Sequence, residues 1–514
     1  MRARYLFVVA ILLAVTAAAS QAPNSAPTRG FTPVLVPAPA SLQVRSGVTF
    51  MLTPSTQIHS DDAGVGDFLA QLLRRSTGYP LEEGEHGISL LLSGAPADAG
   101  DEGYRLDVSD TEIVVRANKP AGLFNGVQTL RQLLPPDVES KEVRDASWTV
   151  PGVTITDRPR FEHRGAMLDV VRHFQPVNVV KDFIDRMALY KLNYFHWHLT
   201  NDQGWRVEIE SWPKLATVGG SKQVGGDRGG YYTKAQYREI VAYAAARNIT
   251  VVPEIDMPGH TNAALASYPE LNCNGQAKQL YTGVDVGFSS LCAGSETTYA
   301  FVDDVVREIA EMTPGPYFHI GGDEANATSP ADYQAFMDRA LPILAKYGKT
   351  PIGWHEFIRT TEDPSAIPQY WSADRGDDSV LGHEVILSPP NHAYLDMKYN
   401  RGTELGLNWG GYVDVRDSYD WNPGTFLVNV GEVSIRGVEA PLWTETVVTP
   451  DDIEYMMFPR LPAIAELGWS PFATHSWDSF RVRLGSHGPR WEIMGINFYR
   501  SKQIPWSGRH QAGS

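Results

Sequence analysis

The residues best equipped for chemistry sit in one short run, Tyr317-Phe318-His319-Ile320-Gly321-Gly322-Asp323-Glu324. An apolar stretch leads into two glycines and then two adjacent acids, the pattern of a buried strand ending in a carboxylate pair. Successive side chains on a regular strand point to opposite faces, so Asp323 and Glu324 can serve one ligand only where the strand gives way to a loop. Gly321 and Gly322 ease that departure. Taken alone, the same pair also fits a strand-end acid followed by a helix cap. The surrounding elements separate the two readings.

From about Arg160 onward, short apolar runs alternate with longer amphipathic stretches, as parallel β/α units require. Eight strands are predicted: 165–169, 194–199, 250–255, 317–320, 351–354, 368–371, 384–387 and 437–442. Helices are legible between them. Thr233-Lys234-Ala235-Gln236 matches a capping box, followed by Tyr237, Ile240, Val241 and Ala244 at helical spacing. Val180, Phe183, Ile184 and Met187 form a second such face, and Val302, Val305, Val306 and Ile309 a third, closed by Pro314. Eight strands suit a (β/α)8 TIM barrel, in which chemistry gathers at the C-terminal strand ends. A doubly wound open sheet is the alternative, but no glycine-rich dinucleotide or phosphate loop supports it. Polar and aromatic residues follow the strands in order: Arg172 and His173, Asp202, Asp256 and His260, Asp323 and Glu324, Trp354, Trp371, Tyr394 with Asp396, and Trp443 with Glu445.

The fold expected is therefore α/β, a catalytic barrel over residues 159–508 preceded by a small non-catalytic α/β domain over 41–158. In that smaller domain Tyr104–Val108 and Glu112–Arg116 have strand character, and Ala121–Leu134 is helical until Pro135 and Pro136 stop it. Arg2 and Arg4, the apolar run Tyr5–Val15 and the small residues Thr16–Ser20 have the three-part layout of a secretory signal over residues 1–22. A Pro- and Ala-rich stretch, 23–40, reads as a linker. Export implies oxidising surroundings, so Cys273 and Cys292 are expected to form a disulfide rather than remain free thiols.

Composition narrows the ligand. A formal net charge of −16 argues against nucleic acid or an anionic membrane as partner. Thirteen Trp, 22 Tyr and 19 Phe suit stacking on sugar rings, although core packing uses the same residues. Carboxylates and an Arg bind hydroxyls by hydrogen bonds, while indole faces cover the apolar side of a pyranose. His196 and His198 alternate on a strand, which favours hydrogen-bonded barrel residues over metal ligands. No metal or cofactor is expected. Most glycosidases set two carboxyls on opposite sides of the scissile bond. Sequence neighbours cannot easily straddle a sugar in that way, so the nucleophile is sought in the substrate.

The segments His196–Trp205 (HWHLTNDQGW), Val252–Asn262 (VPEIDMPGHTN), His319–Glu324 (HIGGDE), Tyr394–Tyr399 (YLDMKY) and Glu439–Thr444 (EAPLWT) resemble the signatures of β-N-acetylhexosaminidases of glycoside hydrolase family twenty. The likeness runs from about Arg160 to Trp506 and is strongest to secreted actinobacterial enzymes. It implies an exo-acting, retaining hydrolase that removes terminal β-linked N-acetylglucosamine or N-acetylgalactosamine from chitooligosaccharides or glycans by substrate assistance. By the same resemblance Glu324 is the general acid and base, Asp323 orients the 2-acetamido group, and Tyr394 donates to its oxygen. His260 and Asp202 form a dyad behind the acid. Trp354, Trp371 and Trp443 form aromatic walls, Arg172 and Glu445 hold hydroxyls, and Asp396 with Trp409 meets the O6 group. Asn201 stands where relatives often carry an acid. Two other readings remain: an endo-acting chitinase, whose ladder of spaced Asp residues is replaced here by His319-Ile320-Gly321-Gly322, and a non-catalytic carbohydrate-binding protein, which would tolerate loss of Asp323, Glu324 and Tyr394.

Overall fold

The computed structural model describes residues 33–372 and 378–507. The predicted signal and residues 23–32 of the expected linker lie outside them. Residues 33–40 are not a free linker. Leu35 and Val36 are buried, the Val36 amide donates to Gln132 at 3.0 Å, and the Ala38 amide donates to Glu466 at 3.0 Å. A proline-rich composition hid two apolar side chains that find a place in the core.

The smaller domain is a six-stranded mixed sheet in the order Ser41–Met51, Thr149–Asp157, Tyr104–Val108, Ile113–Ala117, Gly87–Leu91, Gln57–Ser60. Helices Ala63–Thr77 and Pro120–Leu133 pack on it and on each other. The second helix ends where the sequence requires: Leu134 precedes Pro135 and is extended, at φ −73° and ψ 156°. Asp157, at the end of this sheet, ties the domain to the barrel by accepting from Lys191 Nζ at 3.2 Å and Trp469 Nε1 at 2.9 Å.

The second domain is a closed, all-parallel barrel. Its strands are His163–Asp169, Tyr194–His198, Thr250–Glu254, Tyr317–His319, Thr350–Trp354, Ile367–Tyr370, Val385–Leu387 and Ile435–Leu442, the last pairing with the first. All eight coincide with the predicted runs to within a residue or two, the shortest being the two three-residue strands that end at His319 and Leu387. The helices follow their patterns. Thr233 and Gln236 complete the capping box of Lys234–Ala245, and Val302, Val305, Val306 and Ile309 are buried on Glu296–Met312. Among the described residues no helix is long and apolar enough to cross a membrane.

The barrel interior is polar at its centre. Glu254 accepts from His196 Nε2 at 2.9 Å and Trp354 Nε1 at 2.9 Å, and also engages His198. Glu439 accepts from His163 at 2.8 Å, His196 Nδ1 at 2.7 Å and Gln369 at 2.8 Å. Buried charges persist only when paired in this way. Burial opposes the His196 imidazolium, yet Glu439 and Glu254 outweigh it and raise its pKa to about 9. His319 also lies beside Glu254, a proximity that sequence spacing did not show. With a carboxylate oxygen on each ring nitrogen, His196 is hydrogen-bonded at both ends within the barrel.

Candidate active site

The carboxylate pair depends on how the fourth strand ends. Gly321 and Gly322 take φ of +71° and +91°. A Cβ on Gly321 would lie 1.9 Å from Asp256 Oδ1, the same oxygen that accepts from the Gly322 amide at 3.1 Å. Both glycines are therefore required, one by contact and both by conformation. Glu324 follows at φ +45°, a left-handed conformation that costs a non-glycine residue on the order of 1–3 kcal/mol. The turn brings both acids to one imidazole. His260 Nε2 lies 3.7 Å from Asp323 and 3.6 Å from Glu324, and its Nδ1 lies 3.5 Å from Asp202. Glu324 is the more accessible, its side chain 34% exposed against 12% for Asp323.

Burial and crowding set the protonation pattern. Burial raises the Asp323 pKa to about 6, with His260 opposing and Glu324 adding to the rise. Asp256 is driven well above the carboxylate range by burial and by Asp323. Burial disfavours the His260 imidazolium, but Asp256, Asp323 and the nearby Asp202 and Glu324 carboxylates prevail and hold its pKa well above the ordinary value. The result is an imidazole biased toward its cationic form within a ring of acids. Tyr394 is held protonated by burial, then by Asp396 and Asp323. It is a hydrogen-bond donor at neutral pH.

A cavity of about 490 Å³ opens in front of these groups, lined by Arg172, His260, Asp323, Glu324, Trp371, Tyr394, Asp396, Trp409, Trp443 and Glu445 among others. Arg172 is set by Asp169 at the end of the first strand, which accepts from the Val171 and Arg172 amides at 2.7 and 3.1 Å and from the Thr444 amide at 3.1 Å. Its guanidinium lies 4.8 Å from the Trp443 ring centroid and 3.9 Å from Glu445. The Trp409 ring sits 6.1 Å from Trp371 and 5.7 Å from Tyr394, at steep angles. Among the described residues, both Asp396 carboxyl oxygens, Glu445 Oε2, Asp323 Oδ1 and Arg172 Nε are buried without a hydrogen-bond partner. Buried polar groups rarely stay unmatched, and donors and acceptors arranged like this suit a polyhydroxylated guest.

Two expected site residues lie one layer back. Asp202 stands behind His260, and Trp354, 1% exposed, gives its indole N–H to Glu254 and backs Trp443 at 5.7 Å. Trp354 thus supports the aromatic wall from behind, because the end of its strand still points into the barrel. Other residues of the site escaped the sequence reading. Glu356 accepts from Trp371 Nε1 at 2.9 Å, and burial followed by Asp323 lifts its pKa to about 7. Its place two residues beyond the fifth strand was a usable signal. Val284 and Val286 reach the cavity from the loop that the Cys273–Cys292 disulfide closes, and nothing in their local sequence marks them.

Comparison with known proteins agrees with this geometry. Residues 161–472 match the glycosyl hydrolase family 20 catalytic domain, and residues 32–158 match domain 2 of the same family. The chain belongs to glycosyl hydrolase family 20. A β-N-acetylhexosaminidase from Cellulomonas fimi is 40% identical over 488 residues, covering 92% of this chain and 97% of that protein. The family 20 β-N-acetylhexosaminidase structure from Streptomyces coelicolor A3(2) superimposes with a TM-score of 0.90 at 55% identity, covering 92% of this chain and 99% of the other. A mutant Streptomyces plicatus β-hexosaminidase in complex with its product GlcNAc gives the same TM-score and identity over 94% and 99%. The family 20 protein described here is accordingly a glycoside hydrolase with a (β/α)8 catalytic barrel.

Proposed function

We propose that this protein is an exo-acting, retaining β-N-acetylhexosaminidase whose substrate supplies the nucleophile. The observation that carries the reading is that Asp323 and Glu324 face one imidazole, at 3.7 and 3.6 Å, and so stand on one side of the cavity. Two carboxylates that straddle a sugar, about 5 Å apart, are what a covalent retaining mechanism needs. Here Glu324, the more exposed acid, protonates the glycosidic oxygen while the carbonyl oxygen of the 2-acetamido group attacks the anomeric carbon. The glycosidic bond breaks, and an oxazolinium ring carries the positive charge. Asp323 faces the acetamido nitrogen as a carboxylate, and Tyr394 donates to the acetamido oxygen, so both act where charge develops. Glu324, now a carboxylate, takes a proton from water as that water opens the ring at the anomeric carbon. Two inversions give retention.

Arg172 with Glu445, and Asp396 with Trp409, hold the sugar hydroxyls. Burial, and then Glu445, push the Asp396 pKa well above the ordinary carboxylate range, which favours a form that can donate as well as accept. The substrates proposed are chitooligosaccharides and glycans ending in β-linked N-acetylhexosamine. Export is proposed on the charged and apolar layout of residues 1–22, with the Cys273–Cys292 disulfide in accord. Hydrolysis of aryl β-N-acetylglucosaminide and the galactosaminide, but hardly of the plain β-glucoside, is the expected result. Equal rates on the plain glucoside would remove the role given to the acetamido group.

A further inference from the structure

The loop closed by Cys273–Cys292 does more than line the cavity mouth. Its contacts converge on the groups behind the acid. Ser289 is 2% exposed; its hydroxyl donates to Asp202 Oδ1 at 2.5 Å and accepts from the Thr261 amide at 2.8 Å. Thr261 is the residue after His260, and the Asn262 amide donates to the same Asp202 oxygen at 3.0 Å. Ser289 therefore bridges the carboxylate behind His260 to the backbone beside it.

The same loop also meets the catalytic turn. Gly287, at φ +77°, approaches so closely that a Cβ there would lie 3.2 Å from the Glu324 carbonyl oxygen and 2.5 Å from Asn326 Nδ2. Next along, the Ser290 hydroxyl is 2.6 Å from that of Thr328, and the Leu291 amide donates to Pro258 at 2.9 Å. The disulfide then fastens this segment, with the Cys292 amide donating to Leu271 at 3.1 Å.

We propose that Ser289 is a positioning residue for proton transfer, holding Asp202 against His260, and that the Cys273–Cys292 cross-link is what keeps it there. This rests on the assignment of Glu324 as the general acid. The chain of contact runs from the disulfide to Ser289, to Asp202, to His260 at 3.5 Å, and from His260 to Glu324 and Asp323. A hydroxyl donated to a carboxylate stabilises its charged form. Without that donor, Asp202 has the Asn262 amide and His260 itself, and the imidazolium is held less firmly. The charged and titratable groups facing His260 are Asp202, Asp256, Asp323 and Glu324, and Arg172 adds its field at Asp202.

The test compares Ser289→Ala, Ser289→Thr and wild type on two aryl N-acetylglucosaminides, one with a poor leaving group that needs protonation and one with a strongly acidic leaving group that does not. Ser289→Ala should lower kcat about 10- to 100-fold on the poor leaving group, as expected for loss of one hydrogen bond to a charged group. It should leave KM nearly unchanged, lose much less on the activated substrate, and move the acid limb of the pH profile upward. Ser289→Thr, which keeps the hydroxyl, should restore most of the rate. Mild reduction of the folded wild-type enzyme should reproduce the leaving-group-dependent loss, and provides the same readout should the alanine variant not fold. An equal loss on both substrates, or an unmoved pH profile, would overturn the proposal. Wild-type turnover with the acetamido requirement intact isolates such a failure from a failure of the functional assignment.

Discussion

Asp323→Asn is the most demanding perturbation of this site, because it removes charge while preserving size and one acceptor oxygen. His260 shows that a positive charge can approach the Asp323 carboxylate to 3.7 Å inside this pocket, and the oxazolinium nitrogen would approach at least as closely. Unit charges about 4 Å apart attract by about 4 kcal/mol at an effective dielectric near 20. At about 1.36 kcal/mol per tenfold, kcat should fall by on the order of 10³-fold. The pH profile gives a second reading. Burial lifts the Asp323 pKa to about 6, and the reaction needs its ionised form, so wild-type activity should decline as pH falls through that region. In the variant this limb should vanish, since position 323 no longer carries a carboxylate to protonate, while Asp256, relieved of its neighbour, ionises more readily. Initial rates on an aryl N-acetylglucosaminide, taken from well below to well above pH 6, measure both effects. A kcat within about tenfold of wild type, or an acid limb left in place, would refute the electrostatic role of Asp323.

Three further outcomes follow from the same geometry. Glu324→Gln should lower turnover by about 10²–10⁴-fold while retaining affinity, with the deficit smaller for a leaving group that departs unprotonated, and unimpaired turnover would refute the assignment. Tyr394→Phe removes one buried donor aimed at a developing charge and should reduce kcat by about 10²–10³-fold, measured against the same substrate; a change confined to KM would mean that Tyr394 only binds. Asn201 donates to His198 Nε2 at 3.0 Å while the Nδ1 of that ring meets Glu254. Asn201→Asp would keep the oxygen that accepts from the Asp202 amide at 2.7 Å but set a second carboxylate oxygen, in place of the Nδ2 donor, against His198 Nε2, so the pH–rate profile should shift, and coincident profiles would dismiss the effect.

Much of this enzyme was readable from one dimension. The eight barrel strands are short apolar runs whose burial dictates their composition, and the helices between them carry a 3.6-residue apolar period and local caps such as Thr233 with Gln236, all of which are short-range signals. Strand-end position then singled out Arg172, His260, Asp323, Glu324, Trp371, Tyr394, Asp396, Trp443 and Glu445, because a parallel barrel delivers those ends to one rim. Trp409 came from the family likeness instead, since it lies on a loop well past its strand.

Other features exist only once the chain closes on itself. Residues 33–40 read as a linker because composition reports solubility, whereas the burial of Leu35 and Val36 depends on a surface built by distant segments. Trp354 and Trp443 are both strand-end indoles, yet the rotation of each strand end sets one behind the other. Ser289, Val284 and Val286 join the site through contacts that no local pattern encodes. Protonation was equally out of reach, since the pKa of Asp323 is set by burial and by charges on other strands and loops. Sequence determined which side chains were available and on which rim they would emerge. Tertiary structure decided how deeply each is buried and which charges it faces, since those depend on distances between residues far apart in the chain.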